Sequence, residues 1–194
     1  MYNRKKGDDL MLNQQTWKIM FSRKLEMIMD QLGYTQTRLS KETGIPQPYI
    51  SRYVKGVSTP SATVVVIISQ KLGLDYETLF FPEHQDIVFY DDYDPSEKDE
   101  LEWVKDFAHQ LRCKFARPNE ACATKDNSLQ KRTSYLERQL WIAKECGMSQ
   151  GYLSQFLKGY TFPSAYTAYR IVSAMGYQDK LNDLFDTCTV YYSR

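Results

Sequence analysis

Two short polar sets occur at the same internal spacing in two parts of the chain. The first is Gln47, Pro48, Ser51 and Arg52; the second is Gln150, Gly151, Ser154 and Gln155. A glutamine amide both donates and accepts, which suits the adenine edge. An arginine fork donates twice, which suits the guanine edge, and a hydroxyl serves either. This chemistry works only if a rigid element delivers the side chains together.

No other constellation competes with these two. The chain has no nucleophile motif, no phosphate-binding glycine loop and no paired carboxylates or histidines at metal spacing. Its four cysteines (Cys113, Cys122, Cys146, Cys188) form no C-x-x-C, and only His84 and His109 could join them. They read as free thiols of a reducing compartment. Asp91, Asp92 and Asp94 lack the glycine and terminal glutamate of a calcium loop. The expectation is a protein with no catalytic residues, no metal and no cofactor.

The elements that must position the first set are legible from apolar spacing. Trp17, Phe21, Leu25, Ile28 and Leu32 recur every three or four residues and predict a helix ended by Gly33. Thr35 then caps a short helix over about 36–43 with Leu39 inward. Gly44 follows, where a sharp turn makes a positive φ cheap only for glycine. Residues 45–54 predict a third helix, with both prolines, Pro46 and Pro48, in its first turn. Ser61 opens a fourth, with Val64, Val65, Ile68 and Leu72 inward and Gly73 at its end. A last short helix holds Leu79 and Phe80.

This string of Thr35, Gln36, Leu39, Gly44, Ile50, Ser51, Gly56, Pro60 and Ser61 resembles the Cro/CI (XRE) family of phage and bacterial repressors. The resemblance covers roughly residues 16–81. It departs at Lys55, where family members often carry an acidic or amide residue. It implies an all-α, lambda-repressor-like helix-turn-helix domain that binds double-stranded DNA.

A shift of 103 residues superposes the chain on itself without a gap, 36–73 onto 139–176, with 14 of 38 positions identical. The identities include Gln36/Gln139, Gly44/Gly147, Gln47/Gln150, Tyr49/Tyr152, Ser51/Ser154, Lys55/Lys158, Pro60/Pro163, Ser61/Ser164 and Ala62/Ala165. Apolar positions are kept as well. A turn glycine, a polar helix start and a buried back are repeated together, which predicts a second copy of the fold. The second copy's first helix is expected over 96–115 and its second over about 134–145. A long loop at about 116–127 separates them. The expected domains are therefore 1–81, an acidic linker 82–95, and 96–194.

By the resemblance, the first two residues of the third helix and the position five on from its first read bases. These are Gln47, Pro48 and Arg52 in one copy and Gln150, Gly151 and Gln155 in the other, with Ser51 and Ser154 on the same outer face. Thr35 with Gln36, and Gln139 in the second copy, would begin the second helix and grip a phosphate. Lys55 and Lys158 end the third helix, where they could neutralise the DNA backbone. Tyr49 and Tyr152 either pack on the second helix or touch a sugar-phosphate.

Charge distribution agrees with such a partner although net charge is only +1. Residues 1–81 carry 11 Lys and Arg against 7 Asp and Glu. Residues 82–115 carry 4 against 10, and residues 116–194 carry 10 against 7. Two basic blocks flank an acidic middle, and the local field decides where phosphate goes. Arg4, Lys5 and Lys6 form either an arm for a groove or a loose tail. The run Ile87–Tyr90 and the tail Thr189–Tyr192 are β-prone. They could pair as a short ribbon, or the tail could pair across a dimer or pack as an extended strand. No apolar run is long enough to span a membrane, and the chain reads as cytoplasmic, in a bacterial or phage-infected cell.

The expected function is a sequence-specific transcriptional regulator, a repressor of phage or mobile-element type, with homodimerisation open. The rival is a protein-binding adaptor (antirepressor, antitoxin or counter-defence protein) that uses its second copy to hold a partner.

Overall fold

Asn13, Thr35 and Ser61 each turn a side-chain oxygen onto a backbone N–H three residues ahead, at 2.9, 3.1 and 3.2 Å. Each thereby satisfies one of the orphan donors at a helix start. The helices so begun are α1 (Gln14–Gln31), α2 (Gln36–Thr43) and α4 (Ala62–Lys71). Between them lies α3 (Gln47–Val54), and α5 (Tyr76–Phe80) follows. The computed structural model describes residues 11–89, 105, 107–109, 111–112 and 135–175.

The third helix starts later than its two prolines led us to expect. Pro46 is extended (ψ 133°) and stands outside as the cap, so only Pro48 lies in the first turn. The turn itself is made by Gly44, whose φ of +72° puts it in the left-handed region. Ile45 then drops into the core.

Trp17, Phe21, Leu25 and Ile28 of α1 are fully buried, as are Leu39 of α2 and Ile50 of α3. The Trp17 indole donates from Nε1 to the Phe80 carbonyl at 3.0 Å, so the polar edge of the ring is satisfied inside the core. Residues 84–86 are strapped back onto α1. Lys24 Nζ donates to the His84 carbonyl at 2.6 Å and to that of Asp86 at 3.3 Å, and burial lowers its pKa. The run 87–89 is bound to the same unit. Asp75 N donates to the Val88 carbonyl at 2.9 Å, and Phe89 bridges Leu74. The run thus pairs, for residues up to 89, with the two residues that precede α5. The tail lies outside the described residues, as do the N-terminal arm and the 116–127 loop.

Three more helices follow: α6 (Tyr135–Glu145), α7 (Gln150–Lys158) and α8 (Ala165–Met175). Residues 105, 107–109 and 111–112 are also helical. Phe107 and Leu111 are buried there, Phe107 lies 5.3 Å from the Phe162 ring, and Arg112 donates to the Leu157 carbonyl at 2.7 Å. The architecture of the described residues is helical, with two isolated β-bridges.

The burial of α4 exceeds the sequence expectation. Besides Val65 and Ile68, its Ala62, Thr63, Val66 and Ser69 are buried, while Val64 is only half-buried. The reason is a second neighbour. Helix α8 packs against α4, α1 and α5, so α4 is covered on two sides. An aromatic cluster joins the units: Tyr169 sits 6.4 Å from Trp17 and 5.2 Å from Phe81, and Tyr166 sits 6.0 Å from Trp17. Tyr166 Oη donates to the Leu12 carbonyl at 2.9 Å, and Leu12 N donates to Tyr169 Oη at 3.1 Å. One continuous core runs through both units.

Candidate nucleic-acid interface

Helix α3 buries Ile50, Tyr53 and Val54 and leaves Gln47, Pro48 and Arg52 exposed, with Ser51 half-buried. The eight-residue helix therefore presents its first turn and one outer face. Lys55 caps its C-terminal end and is exposed. Gln36 is the first residue of α2, and Thr35 is its cap. The Thr35 hydroxyl oxygen accepts from Arg38 N, which leaves its proton free to donate outward.

The starts of α2 and α3 meet through their glutamines. Gln47 Nε2 donates to Gln36 Oε1 at 3.2 Å. That bond leaves Gln47 Oε1 and one N–H, and the Gln36 amide N–H pair, free to face a ligand. It also limits the rotamers of two flexible side chains on the surface. Beside them Arg38 is less free. Its Nε donates to Glu42 Oε1 at 2.8 Å, Tyr34 Oη donates to Glu42 Oε2 at 2.7 Å, and the guanidinium lies 4.1 Å over the Tyr34 ring. The Arg38 fork holds the Glu42 carboxyl below its ordinary range, and the Glu42 carboxylate raises Tyr34. Sequence spacing did not point to this cluster, because it depends on a residue before the α2 cap folding back over the helix.

The second set lies on α7. Gly151 and Gln155 are exposed, Gln150 and Ser154 are half-buried, and Leu153, Phe156 and Leu157 form the buried back. Ser149 caps the helix, its Oγ accepting from Tyr152 N at 3.1 Å, where Pro46 stands before α3. Gln150 Nε2 donates to Gln139 Oε1 at 2.9 Å, so the amide pair recurs with the same eleven-residue separation.

Its surroundings differ. Gln139 does not begin the second helix of this unit, as the alignment with Gln36 led us to expect. It is the fifth residue of α6, because the helix runs one turn further back. Its own N–H is spent in the helix ladder, and its side chain is only 6% exposed. Where α2 carries Thr37 and Arg38, α6 carries Leu140 and Trp141, 50% and 43% exposed, with Leu136 (55%) one turn before. The half-buried amide that Gln36 offers at the start of α2 has no counterpart in this geometry. Lys158 is exposed and is the last residue of α7. Tyr49 and Tyr152 are each about half exposed (51% and 46%), and the Tyr152 ring stands edge-on to Phe156 at 4.7 Å.

Among the described residues, no three His, Cys, Asp or Glu side chains gather where a metal could sit, and no helix is long and apolar enough to cross a membrane. No curated protein and no solved structure matches the chain significantly. A helix-turn-helix family model matches residues 25–79, from the second half of α1 into α5, and so takes in the α2–Gly44–α3 unit that carries Gln36 and Gln47.

Proposed function

We propose that the protein is a sequence-specific DNA-binding transcriptional regulator, a repressor of phage or mobile-element type. It reads the major groove with the first turn and outer face of α3, through Gln47, Pro48, Ser51 and Arg52. In the second unit the corresponding readers are Gln150, Gly151, Ser154 and Gln155 on α7. Thr35, Gln36, Lys55 and Lys158 meet the DNA backbone; Gln139 acts by holding Gln150. The observation that carries this reading is the Gln36–Gln47 pair at two adjoining helix starts, inside the segment that matches the helix-turn-helix family. Phosphate contacts position such a helix and base contacts specify the site.

Selection of bound sequences from a random duplex pool tests it. Enrichment of a defined motif, with affinity falling steeply as salt rises, is the expected outcome. Failure to enrich any sequence would sink the proposal.

One observation favours a second reading. The exposed Leu136, Leu140 and Trp141 of α6 are an apolar surface suited to a protein, not to phosphate. A protein-binding adaptor would use that face, and its binding would depend only weakly on salt.

A further inference from the structure

Helices α4 and α8 are each entered through the same three residues, Pro60-Ser61-Ala62 and Pro163-Ser164-Ala165, and these two segments pair with each other. Ala62 N donates to the Pro163 carbonyl at 3.1 Å, and Ala165 N donates to the Pro60 carbonyl at 2.9 Å. Ser61 and Ser164 form the antiparallel bridge. Each serine also caps its own helix, Ser61 onto Val64 N and Ser164 onto Thr167 N at 3.1 Å. Exchange of the two units turns each of these bonds into the other. That is the signature of a twofold axis, and it passes between Ser61 and Ser164. Each helix has an orphan donor at its first residue, and here the opposite unit satisfies it.

We infer that this single chain is an internal pseudo-dimer that occupies a two-half-site DNA duplex alone, one chain per site, with unequal half-sites related by an approximate dyad. The inference rests on the DNA-reading proposal above and goes beyond it in stoichiometry and in the architecture of the site.

The geometry supports it in three ways. Extended to both units, the axis would set the first turns of α3 and α7 at one level, because rotation about an axis leaves height along it unchanged. Reach is sufficient: α3 spans about 12 Å, residues 56–58 turn back onto the Arg52 and Tyr53 carbonyls, and the chain from Ser58 to Pro60 adds up to about 7 Å on each side of the axis. Two reading turns can therefore stand about 34 Å apart, one turn of B-DNA. The separation is also fixed, because Trp17, Phe81, Tyr166 and Tyr169 pack across the junction and Leu12 is bonded to both tyrosines.

The half-sites are unequal for two reasons. The readers differ, with Arg52 matched by Gln155 and Pro48 by Gly151. The backbone grip differs too, since the extra turn of α6 buries Gln139 and brings Leu140 and Trp141 to the surface. The α7 half-site is the weaker one.

The test uses the full chain on its selected duplex. Native mass spectrometry counts chains per duplex, footprinting maps both half-sites, and an insert of about five base pairs, half a helical turn, separates them. The expected result is one chain protecting two half-sites, with affinity falling about tenfold or more on insertion. Gln155→Ala, an exposed change that leaves folding intact, relaxes preference in the weaker half-site alone. Two chains on a symmetric site, one protected half-site, or indifference to the insert would overturn the inference while leaving DNA reading in place. Absence of binding to any duplex would overturn both.

Discussion

Gln47 Nε2 donates to Gln36 Oε1 at 3.2 Å, tying the first turn of α3 to the first residue of α2. On the proposed DNA-reading role the bond joins a base-facing position to a backbone-facing one, so the two residues are expected to act as a unit. Gln47→Ala is expected to abolish preference at one base position, at a cost of about 1–3 kcal/mol in discrimination. Gln36→Ala is expected to weaken all sequences and also to blur that preference, because Gln47 loses its anchor. A double-mutant cycle, read by competition binding, should show the pair to be non-additive. Strict additivity would mean the bond is incidental.

Arg52 and Lys55 are both exposed near the end of α3 but are expected to behave differently. Arg52→Ala should relax one base of one half-site. Lys55→Ala should weaken binding uniformly and lower the slope of log K against log salt by about 1. Titrations at several salt concentrations separate the two. If Arg52→Ala weakened every sequence alike, it would be a phosphate contact.

The junction between units can be opened at one bond. Ala165 is the first residue of α8, where proline is tolerated by the helix itself. Ala165→Pro removes the donor to the Pro60 carbonyl and crowds it with the ring. The expected loss is about 1–3 kcal/mol of stability, seen as a lower urea midpoint with helix content retained. An unchanged midpoint would show that the bridge contributes nothing.

Two glycines are predicted to respond in opposite directions. Gly44 has φ +72° with nothing within 4 Å of a built Cβ, so Gly44→Ala is strained by backbone alone and should cost about 1–2 kcal/mol. Gly151 lies in α7 with open space and no positive φ, so Gly151→Ala should stabilise by up to about 1 kcal/mol. Thermal melts of the two variants check the sign of each.

Stability is predicted to fail in alkali. Burial pushes the Cys146 thiol from 9.0 up to about 12 and the Tyr169 phenol from 10.0 up to about 12. As pH rises, the unfolded chain sheds these protons first. Stability due to the two groups is full below about pH 9 and is lost between there and about pH 12. Urea midpoints measured across that range should fall, and Tyr169→Phe should flatten the part above pH 10. A Cys146 that alkylates rapidly at pH 8 would contradict its burial.

Much of the first unit was legible because local rules and burial agree there. Period-3.6 apolar positions located Trp17 to Ile28, capping chemistry located Thr35 and Ser61, and Gly44 could only be a turn. The start of α3 was missed by two residues, because the proline pattern permits both an internal Pro46 and a capping one. The position of Gln139 was misread for a related reason. Alignment transfers residue identity, but a helix start depends on the residues before it. The four preceding Gln139 continue the helix, whereas Thr35 stops it before Gln36.

Local propensity and identity at a constant offset were enough to locate the helices of the first unit, the polar set on α3 and a matching second set. How the two sets relate follows from the packing of the chain. The Pro60–Ala62 pairing with Pro163–Ala165, the glutamine pairs and the two-sided burial of α4 are contacts between segments far apart in the chain. No local propensity encodes such contacts. They form because two amphipathic units cover more apolar surface together than either covers alone.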